Sequence, residues 1–312
     1  MSRAGGLALG VALDAVFGDP RRGHPVAAFG RAAARLENRL YGASRARGVA
    51  FTAGCVGAAV GTGMVAERLA RTGTGRTLVT AAATWAVLGG TSLGREGTTM
   101  SALLERGDLT AARERLSHLC GRDPAGLGEK ELARATVESI AENTSDAAVA
   151  PLLWGAVAGV PGLLGYRAIN TLDAMVGHRN PRYRDFGWAA ARLDDLANWL
   201  PARLTGLLTV AVAPLAATPA PERGAAAAWR VLWRDGGRHP SPNAGRCEAA
   251  FAGALGVRLG GANSYGGRTE ERPELGDGRA PETPDIRRAV RLSTAVTVAA
   301  AVVSCAIAWR RG

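Results

Sequence analysis

Five long windows of this chain are nearly free of charge, and each approaches the length that a helix needs to cross a bilayer. A helix that is apolar on all sides must be buried in a large protein core or in lipid. With five such windows among 312 residues, lipid accounts for them more simply. The sequence therefore predicts an all-α fold, a polytopic membrane helical bundle. The windows are residues 49–66, 77–94, 147–165, 200–217 and 290–309, and a shorter apolar stretch near 5–17 is a sixth candidate.

Small residues dominate these windows, which lets helices approach one another closely in lipid. The window 147–165 is also interrupted by two prolines, so it is predicted to be a kinked span or a re-entrant segment buried among other helices. The last window ends in "WRRG", an aromatic anchor followed by basic residues. We predict one membrane domain over 1–312, with a flexible loop at 266–288 and a C-terminal transmembrane helix at 290–309.

The charged residues, with a formal net charge of +11, are concentrated between the windows. Lys130 is the only lysine among the 38 basic residues. No basic stripe with interleaved aromatic residues is visible, so nucleic acid is not an expected partner. Arginine beside apolar spans is typical of the cytoplasmic ends of membrane helices, which predicts a multi-pass protein of the cell membrane in contact with the lipid bilayer. The four cysteines have neither metal-ligand nor redox spacing, and we interpret them as small buried residues.

The stretch "TVESIAENTSDAAVAP" at 136–151 places Glu138, Glu142 and Asp146 four residues apart, just before an apolar window. On a helix this spacing predicts one stripe of carboxylates, and like charges at that spacing repel one another. A divalent cation would turn the repulsion into attraction, and magnesium commonly takes one or two carboxylates together with substrate phosphates. Asn143 extends the patch as a further candidate ligand. The alternative is a solvated acidic face of a helix that binds nothing.

The stretch "GDPRRGHPV" at 18–26 forms a rigid turn, because each proline fixes its own φ and restricts the residue before it. Arg21 and Arg22 lie inside this turn and are candidates for binding a phosphate or carboxylate. His24, also in the turn, is a candidate proton carrier, because an imidazole exchanges protons at physiological pH. The alternative is the start of a cytoplasmic helix with positive flanks.

The stretch "YRAINTLDAMVGHRNPRYRDFG" at 166–187 combines an acid–amide pair with a basic turn. This combination favours a second polar patch beside phosphate-binding arginines. The alternative is a helix with positively charged residues at its C-terminal end. His178 closes the predicted helix. The candidates for metal and phosphate contacts here are Asn170, Asp173, Arg179 and Arg182.

The stretch "ARLDDLANWLPARL" at 191–204 places Asp194, Asp195 and Asn198 before another apolar window. Asp195 and Asn198 face the same way on a helix, and the pattern resembles the carboxylate–amide clusters that hold magnesium in diphosphate enzymes. The match is short, and the alternative is an ordinary polar helix end.

Two further loops lie between 234 and 267. "HPSPNAG" is a second rigid turn that predicts a helix start near Asn243, where free backbone amides could bind an anion. "LGGANSYGG" contains Asn263 in a loop whose glycines permit close approach of a ligand. The sequence has no Walker A motif, no strand–GxGxxG–helix unit, no GxSxG elbow and no HExxH. A nucleotide would therefore be bound without a familiar loop.

Taken together, these stretches resemble the CobD/CbiB family, the membrane-bound adenosylcobinamide-phosphate synthases of cobalamin biosynthesis. The matching pieces occur in the family's order and cover roughly residues 10–270. Ala147 stands where many relatives have glycine, and 127–134 is variable, but neither departure touches a candidate site residue. The matching pieces are "LDAVFGDPRRGHPV", "GRDPAGL…RATVESIAENTSDAAVAPLLW", "YRAINTLDAMVGHRNPRYRDFGWAAARLDDLANWLPARLT" and "HPSPNAGRCEAAFAGALGVRLGGANSYGG".

The resemblance implies a carbon–nitrogen ligase that joins adenosylcobyric acid to (R)-1-aminopropan-2-ol, or to its O-phosphate, with ATP and Mg²⁺. The corrinoid is a substrate, and other late membrane enzymes of the pathway are conceivable partners. On this basis we assign Glu138 and Glu142 to base and metal chemistry, and His24 or His178 to proton transfer. The remaining metal candidates are Asp146, Asn143, Asp173, Asn170 and Asp195. The ATP-binding candidates are Arg21, Arg22, Arg179, Arg182, Asn243 and Asn263.

ATP is cytoplasmic, so we expect the polar stretches to converge on the cytoplasmic side as catalytic loops. The windows 147–165 and 200–217 would then be re-entrant, or tilted beneath the site. A transporter of a corrinoid or another anionic solute is one alternative, because transporters use intramembrane acids and broken helices, although no inverted repeat is visible. A non-catalytic AmpE-like regulatory membrane protein is another, and it would be expected to lack the acidic and "NTLD" positions.

Overall fold

The computed structural model describes residues 2–19, 23–178, 180–216, 221–265 and 268–311, and it describes the backbone alone for residues 2, 216, 221–223, 263–265 and 268–270. The described chain is mainly helical, which confirms the all-α membrane bundle. The first helices are α1 (Ser2–Phe17), α2 (Pro25–Leu40), α3 (Arg45–Leu69), α4 (Gly73–Val87), α5 (Gly90–Glu105), α6 (Leu109–Leu116) and α7 (Glu129–Thr144). A π-helical turn (Ser145–Val149) leads into α8 (Ala150–Val176), α9 (Trp188–Ala197), α10 (Trp199–Ala216), α11 (Pro221–Asp235), α12 (Ala244–Leu255), strands β1 (Leu259–Tyr265) and β2 (Arg268–Leu275), and α13 (Thr283–Arg311).

The chain divides into two compact units. Unit 1 comprises residues 1–89, 146–199 and 301–312, and unit 2 comprises residues 90–145 and 200–300. We predicted a single membrane domain over the whole chain, and that statement about the two units together stays a prediction.

Unit 1 is built on close pairs of helices, α1 with α4 and α3 with α8. Gly6 of α1 faces Thr80 of α4, and Gly10 faces Thr84 one turn further along, so the two backbones lie close together. A second core forms where α2, α3, α8 and α9 meet around Phe51. The small-residue windows thus act as the sequence predicts, by allowing helices to touch.

Helix α8 contains a sharp break at Gly159, which has φ 69° and ψ −149°. Only glycine tolerates such a backbone conformation readily. Glu67 of α3 accepts a hydrogen bond from the Val160 N–H at 2.9 Å, and Pro161 follows within the break. The kinked segment predicted for 147–165 is therefore confirmed, with Glu67 satisfying a backbone donor that the kink releases.

The prediction that one regular α-helix carries Glu138, Glu142 and Asp146 as a single stripe is wrong. Regular α-helix stops at Thr144, and Asp146 lies in the π-helical turn, whose wider winding shifts the residues that follow around the helix axis. Glu138 is 5% exposed, whereas Glu142 is exposed. The spacing rule assumed 3.6 residues per turn throughout, and the inserted turn breaks that assumption.

The window 77–94 was predicted to approach the length of one span, and this is also wrong. Helix α4 ends at Val87 and α5 begins at Gly90. The Gly89 N–H donates to the Ala147 carbonyl at 3.0 Å, and Arg167 donates to the Val87 carbonyl, so the break is held by specific partners. Apolar composition alone did not reveal the interruption at "LGG".

In unit 2, α7 packs against α5, α6 and α12, and α12 packs against α11. The segment 266–288 is not a loop throughout: β2 pairs antiparallel with β1, and α13 starts at Thr283. The correction has a structural reason, since Gly260 and Gly261 adopt φ values of 88° and 86° where the register shifts, which a bulge requires. The start of helix α12 after Asn243 is confirmed.

Among the described residues, three helical segments are long and apolar enough to cross a membrane. They are Arg45–Leu69, the broken run Glu129–Val176, and Thr283–Arg311. The pair α9 and α10 bends by 42° and adds a fourth if it forms one span. The windows 49–66, 147–165 and 290–309 therefore fall in such segments.

Candidate active-site residues in two polar clusters

The first group of candidate residues lies in unit 1, and we call it the aspartate cluster: Asp146, Asn170, Asp173, Asp194 and Asn198. The π-helical turn carries Asp146, helix α8 carries Asn170 and Asp173 one turn apart, and α9 supplies Asp194. Asn170 Nδ2 donates to Asp146 Oδ2 at 3.2 Å, and Asn198 Nδ2 donates to Asp194 Oδ2 at 3.0 Å. The Asn170–Asp146 bond joins two residues that are 24 positions apart in the chain.

Tyr166 and Arg167 anchor this cluster, and the sequence analysis missed both roles. The buried Tyr166 hydroxyl donates to Asn198 Oδ1 at 2.8 Å. Arg167 donates to Asn170 Oδ1 at 3.3 Å and also to the Val87 carbonyl. A cation held by a backbone carbonyl is fixed in place, so Arg167 orients Asn170 and balances the nearby Asp146 carboxylate.

The Oδ1 atom of Asp194 is buried and has no hydrogen-bond partner among the described residues. Its carboxylate neighbours include Asp173 and Asp195. A buried carboxylate oxygen beside other carboxylates is electrostatically unfavourable unless a cation or proton satisfies it. The pair "DD" before an apolar window was the signal in the sequence, but we predicted Asp195 as the metal ligand and not Asp194.

A magnesium ion fits this cluster by donor chemistry. No group of three or more His, Cys, Asp and Glu side chains within the described ranges is arranged to hold a metal ion by itself. Magnesium, however, prefers oxygen ligands and is usually held by one or two carboxylates plus substrate phosphates. The oxygen donors of Asp146, Asn170 and Asp173, with the unsatisfied Asp194 Oδ1, match that preference.

The turn before α2 lies near the same cluster. His24 caps α2, with Nδ1 accepting from the Val26 N–H at 3.2 Å, and its Nε2 lies 4.0 Å from Asp19 Oδ1. Asp19 in turn acts electrostatically on Arg167. Pro25 and Val26, directly after His24, line one cavity with Arg167, whereas Arg21 and Arg22 lie outside the described residues.

The other unit 1 candidates are less closely associated. His178 is exposed and contacts the Ala174 carbonyl at 3.0 Å, with Asp173 as a charged neighbour. Arg182 donates to Glu37 at 3.1 Å and stacks on Tyr41, and its hydrogen bonds to Glu37 and Tyr183 raise its pKa. Asp195 pairs with Arg192 at 3.2 Å on a half-exposed surface. Arg179 lies outside the described residues.

The second group lies in unit 2, and we call it the glutamate cluster: Glu138, Glu142 and Glu248 with Arg122, His239 and Arg272. Glu138 is central to it. Its Oε2 accepts from Arg122 Nη2 at 2.6 Å, and its Oε1 accepts from the Gly260 N–H at 2.8 Å. Both oxygens of this buried carboxylate accept hydrogen bonds, so Glu138 connects the loop before α7, through Arg122, with the bulge of β1, through Gly260.

Arg134 completes the attachment of the hairpin. It donates to the carbonyls of Gly260 and Ala262, and its Nη1 lies 4.0 Å from Glu138 Oε1. The hairpin that the sequence analysis read partly as a loop is thus held by charged side chains from α7.

Glu248 is the buried acid of this cluster, 3% exposed, and the sequence analysis missed it. Burial, followed by the negative charges of Glu138 and Glu142, raises the pKa of Glu248 well above its ordinary value. Its Oε1 lies 3.9 Å from His239 Nε2, which also contacts Arg272 at 3.2 Å. The stretch "HPSPNAGRCEAAF" contained His239 and Glu248, yet their separation by nine residues gave no spacing signal.

The remaining unit 2 candidates have structural contacts of their own. Asn143 donates to the Ser139 carbonyl at 2.9 Å, as a helix side chain commonly does. Asn243 is the buried N-cap residue of α12. Asn263 pairs through its backbone with Glu270 in the hairpin, and its side chain lies outside the description.

Comparison with known proteins gives a consistent result. A family model described as CobD/Cbib protein matches residues 7–293. A cobalamin biosynthesis protein CobD of Mycobacterium tuberculosis is 56% identical over 313 aligned residues, covering 99% of this chain and 97% of that protein. Proteins of the same name from Geobacter metallireducens (48% identical, 90% and 89% covered) and Rhodobacter capsulatus (40% identical, 94% and 93% covered) are also similar. No solved structure matches.

Proposed function

This chain belongs to the CobD/Cbib protein family, and we propose that it is a cobalamin biosynthesis enzyme that joins adenosylcobyric acid to (R)-1-aminopropan-2-ol or its O-phosphate. The observation that carries the proposal is the aspartate cluster, whose acid–amide residues fall in the stretches that match the family. Relatives 56% and 48% identical carry the name cobalamin biosynthesis protein over nearly the whole chain.

The proposed reaction proceeds in two steps that balance. A carboxylate oxygen of the corrinoid attacks the γ-phosphorus of ATP, the bond to ADP breaks, and an acyl phosphate forms. The amine nitrogen then attacks the acyl carbon, the carbon–oxygen bond to phosphate breaks, and the nitrogen loses a proton. Activation is required because a carboxylate is a poor electrophile and oxide is a poor leaving group.

The aspartate cluster is proposed to bind the nucleotide phosphates through magnesium held by Asp146, Asn170, Asp173 and Asp194. When bound, magnesium would neutralise charge on the phosphate oxygens during phosphoryl transfer. Arg167 holds Asn170 in position, and Tyr166 holds Asn198 against Asp194, so the oxygen donors are oriented before substrate arrives. The proposed phosphate contacts remain Arg21, Arg22, Arg179 and Arg182. Asn243 and Asn263 belong to unit 2, and their contact with the nucleotide stays a prediction.

Glu142 is the proposed general base of the glutamate cluster. Its carboxylate is exposed, whereas both oxygens of Glu138 already accept hydrogen bonds. Glu138 is therefore better suited to positioning the hairpin than to taking a proton from the amine. His24 and His178 are proposed proton carriers, since an imidazole exchanges protons near neutral pH. Asp195 would support the metal ligands of unit 1, and the supporting role of Asn143 in unit 2 stays a prediction.

The proposed location is the cell membrane, with the reacting groups at the cytoplasmic face where ATP is available. The three apolar helical segments support membrane insertion. The corrinoid, the amine and the lipid bilayer are the proposed partners, and other late enzymes of the pathway are natural neighbours in the membrane.

The test uses protein purified in nanodiscs with ATP, magnesium and adenosylcobyric acid, and with aminopropanol and its phosphate in equal amounts. We expect amide product by mass spectrometry, and ADP only when both the acid and an amine are present. Asp194→Asn should lower kcat/KM by about 100-fold and raise the magnesium requirement. The control Asp185→Asn changes an exposed acid of the same unit that pairs with Arg45, and it should retain activity. ADP formation without product, or equal activity in both variants, would contradict the assignment.

One observation favours a second candidate, a transporter: helix α8 is broken at Gly159 inside an apolar run. Transporters use such broken helices for substrate binding. Proteoliposomes discriminate between the two, because corrinoid flux without amide formation would support transport and replace the ligase proposal.

A further inference from the structure

A cavity of about 480 Å³ lies in unit 1 where the first turns of α1 and α4 meet the last turns of α3 and α13. Neither the family resemblance nor the proposed reaction uses it. Four arginines and one glutamate are among its lining residues, which gives a formal surplus of three positive charges. They are Arg3, Arg68, Arg76, Arg311 and Glu67.

The single acid of the cavity does not neutralise the arginines. Glu67 Oε1 accepts the Val160 N–H at the α8 break. Arg3 and Arg311 reach only backbone carbonyls at 3.4 Å, and Arg68 makes no ion pair or hydrogen bond with any described residue. Such a group of cations in a concave site favours an anionic ligand, above all one with phosphate oxygens.

Large apolar side chains close in sequence to the lining residues are exposed. Val65 and Leu69 on the last turns of α3 are 54% and 72% exposed, and Trp309 on the last turn of α13 is 59% exposed. Both helices are candidate membrane spans, and tryptophan and arginine at the end of a span are typical of the lipid headgroup level. A cationic cavity flanked by exposed apolar side chains fits an amphiphile better than it fits a free anion.

The cavity is separate from the aspartate cluster. It contacts α4 near Arg76 in the first turn, whereas the break after Val87, which Arg167 holds, lies at the other end of the same helix. The lining residues Arg76 and Thr80 lie eleven and seven residues before Val87, which corresponds to about 16 and 10 Å along the helix. Nucleotide bound at the aspartate cluster would therefore not occupy the arginine cavity.

We propose that this arginine cavity binds the phosphate headgroup of an anionic phospholipid, with the acyl chains lying along the apolar rim formed by Val65, Leu69 and Trp309. The lipid is a structural ligand that ties α1, α3, α4 and the end of α13 together. Its binding is independent of the ligation reaction.

The test titrates detergent-purified protein with phosphatidylglycerol, phosphatidylcholine or inorganic phosphate and counts bound ligand by native mass spectrometry. The variant Arg68→Gln/Arg311→Gln removes two lining charges. The control Arg71→Gln/Arg310→Gln removes two exposed charges that do not line the cavity, near the same helix ends.

We expect one phosphatidylglycerol to bind the wild type and the control with the same Kd. The lining variant should bind about thirtyfold more weakly, because an arginine near an anionic lipid contributes roughly a fivefold gain in affinity. Should the double variant not fold, Arg68→Gln alone should weaken binding about fivefold. Equal weakening in lining and control variants would overturn the proposal, as would phosphatidylcholine binding as tightly. Inorganic phosphate binding as tightly as the lipid would assign the cavity to a free anion instead.

Discussion

The buried ion pair between Arg122 and Glu138 makes a sharp prediction about the stability of unit 2. The two side chains are 5% and 7% exposed, and Arg122 Nη2 lies 2.6 Å from Glu138 Oε2. Replacing Arg122 with leucine would leave the Glu138 carboxylate buried, with the Gly260 N–H at 2.8 Å and Arg134 at 4.0 Å as partners among the described residues. Removing one member of a buried pair typically costs about 3–5 kcal/mol.

The same unit supplies a matched control. Arg115 and Glu96 are also 2.6 Å apart, but their side chains are 36% and 23% exposed. Solvent screens this pair, so Arg115→Leu should cost about 0–1 kcal/mol. Because the two pairs have the same nitrogen–oxygen distance, a difference in stability loss between the two variants reports the effect of burial.

The assay is thermal unfolding of the detergent-purified variants, followed by circular dichroism. At roughly 2 °C per kcal/mol for a large chain, Arg122→Leu should lower Tm by about 6–10 °C, and Arg115→Leu by at most about 2 °C. The double variant Arg122→Leu/Glu138→Leu should recover part of the loss, because no uncompensated carboxylate remains. Equal Tm values for the two single variants would refute the reasoning.

Three further predictions follow from individual residues. As pH rises above about 4.5, the ordinary glutamate pKa, Glu248 ionises in the unfolded chain but stays protonated in the fold. The free energy of unfolding should therefore fall by up to about 1.4 kcal/mol per pH unit until the pH reaches the raised pKa of the folded state. Glu248→Gln should flatten the slope of Tm against pH measured from pH 5 to 8. Gly159→Ala should destabilise the protein by more than about 1 kcal/mol, because φ is positive and a Cβ would collide with Glu67, whereas Gly57→Ala in open space on α3 should not lower Tm. Glu138→Gln should increase hydrogen exchange in β1 and β2 relative to wild type, because the amide no longer accepts as a charged group from the Gly260 N–H, and unchanged exchange would argue against the positioning role.

Apolar composition predicted the class of fold, because transmembrane length and lack of charge are properties of the sequence itself. It could not reveal the break at Leu88 and Gly89, which depends on Arg167 reaching back from α8 to the Val87 carbonyl. The π-helical turn at Ser145–Val149 was equally invisible, since the stripe of carboxylates was drawn with regular helical spacing. Both errors arise because tertiary contacts and local changes in helix type are not visible in the spacing of residues along the sequence.

The candidate site was predictable where chemistry and local sequence coincide. Asp146 and Asn170 were both named, and the structure joins them at 3.2 Å. Glu248 was missed, because a single acid among alanines looks like a surface residue until α12 is packed against α7. Asp194 was passed over in favour of Asp195, since only the packed structure shows which of two adjacent carboxylates is buried with a free oxygen.

The central claim is that ATP activates the corrinoid acid as an acyl phosphate before the amine attacks. The direct measurement supplies adenosylcobyric acid whose reacting carboxylate carries ¹⁸O at both oxygens, and analyses the released inorganic phosphate by mass spectrometry. The account predicts one ¹⁸O atom in each phosphate formed with amide product, because the carboxylate oxygen leaves with the γ-phosphorus. Amide product accompanied by unlabelled phosphate would contradict it.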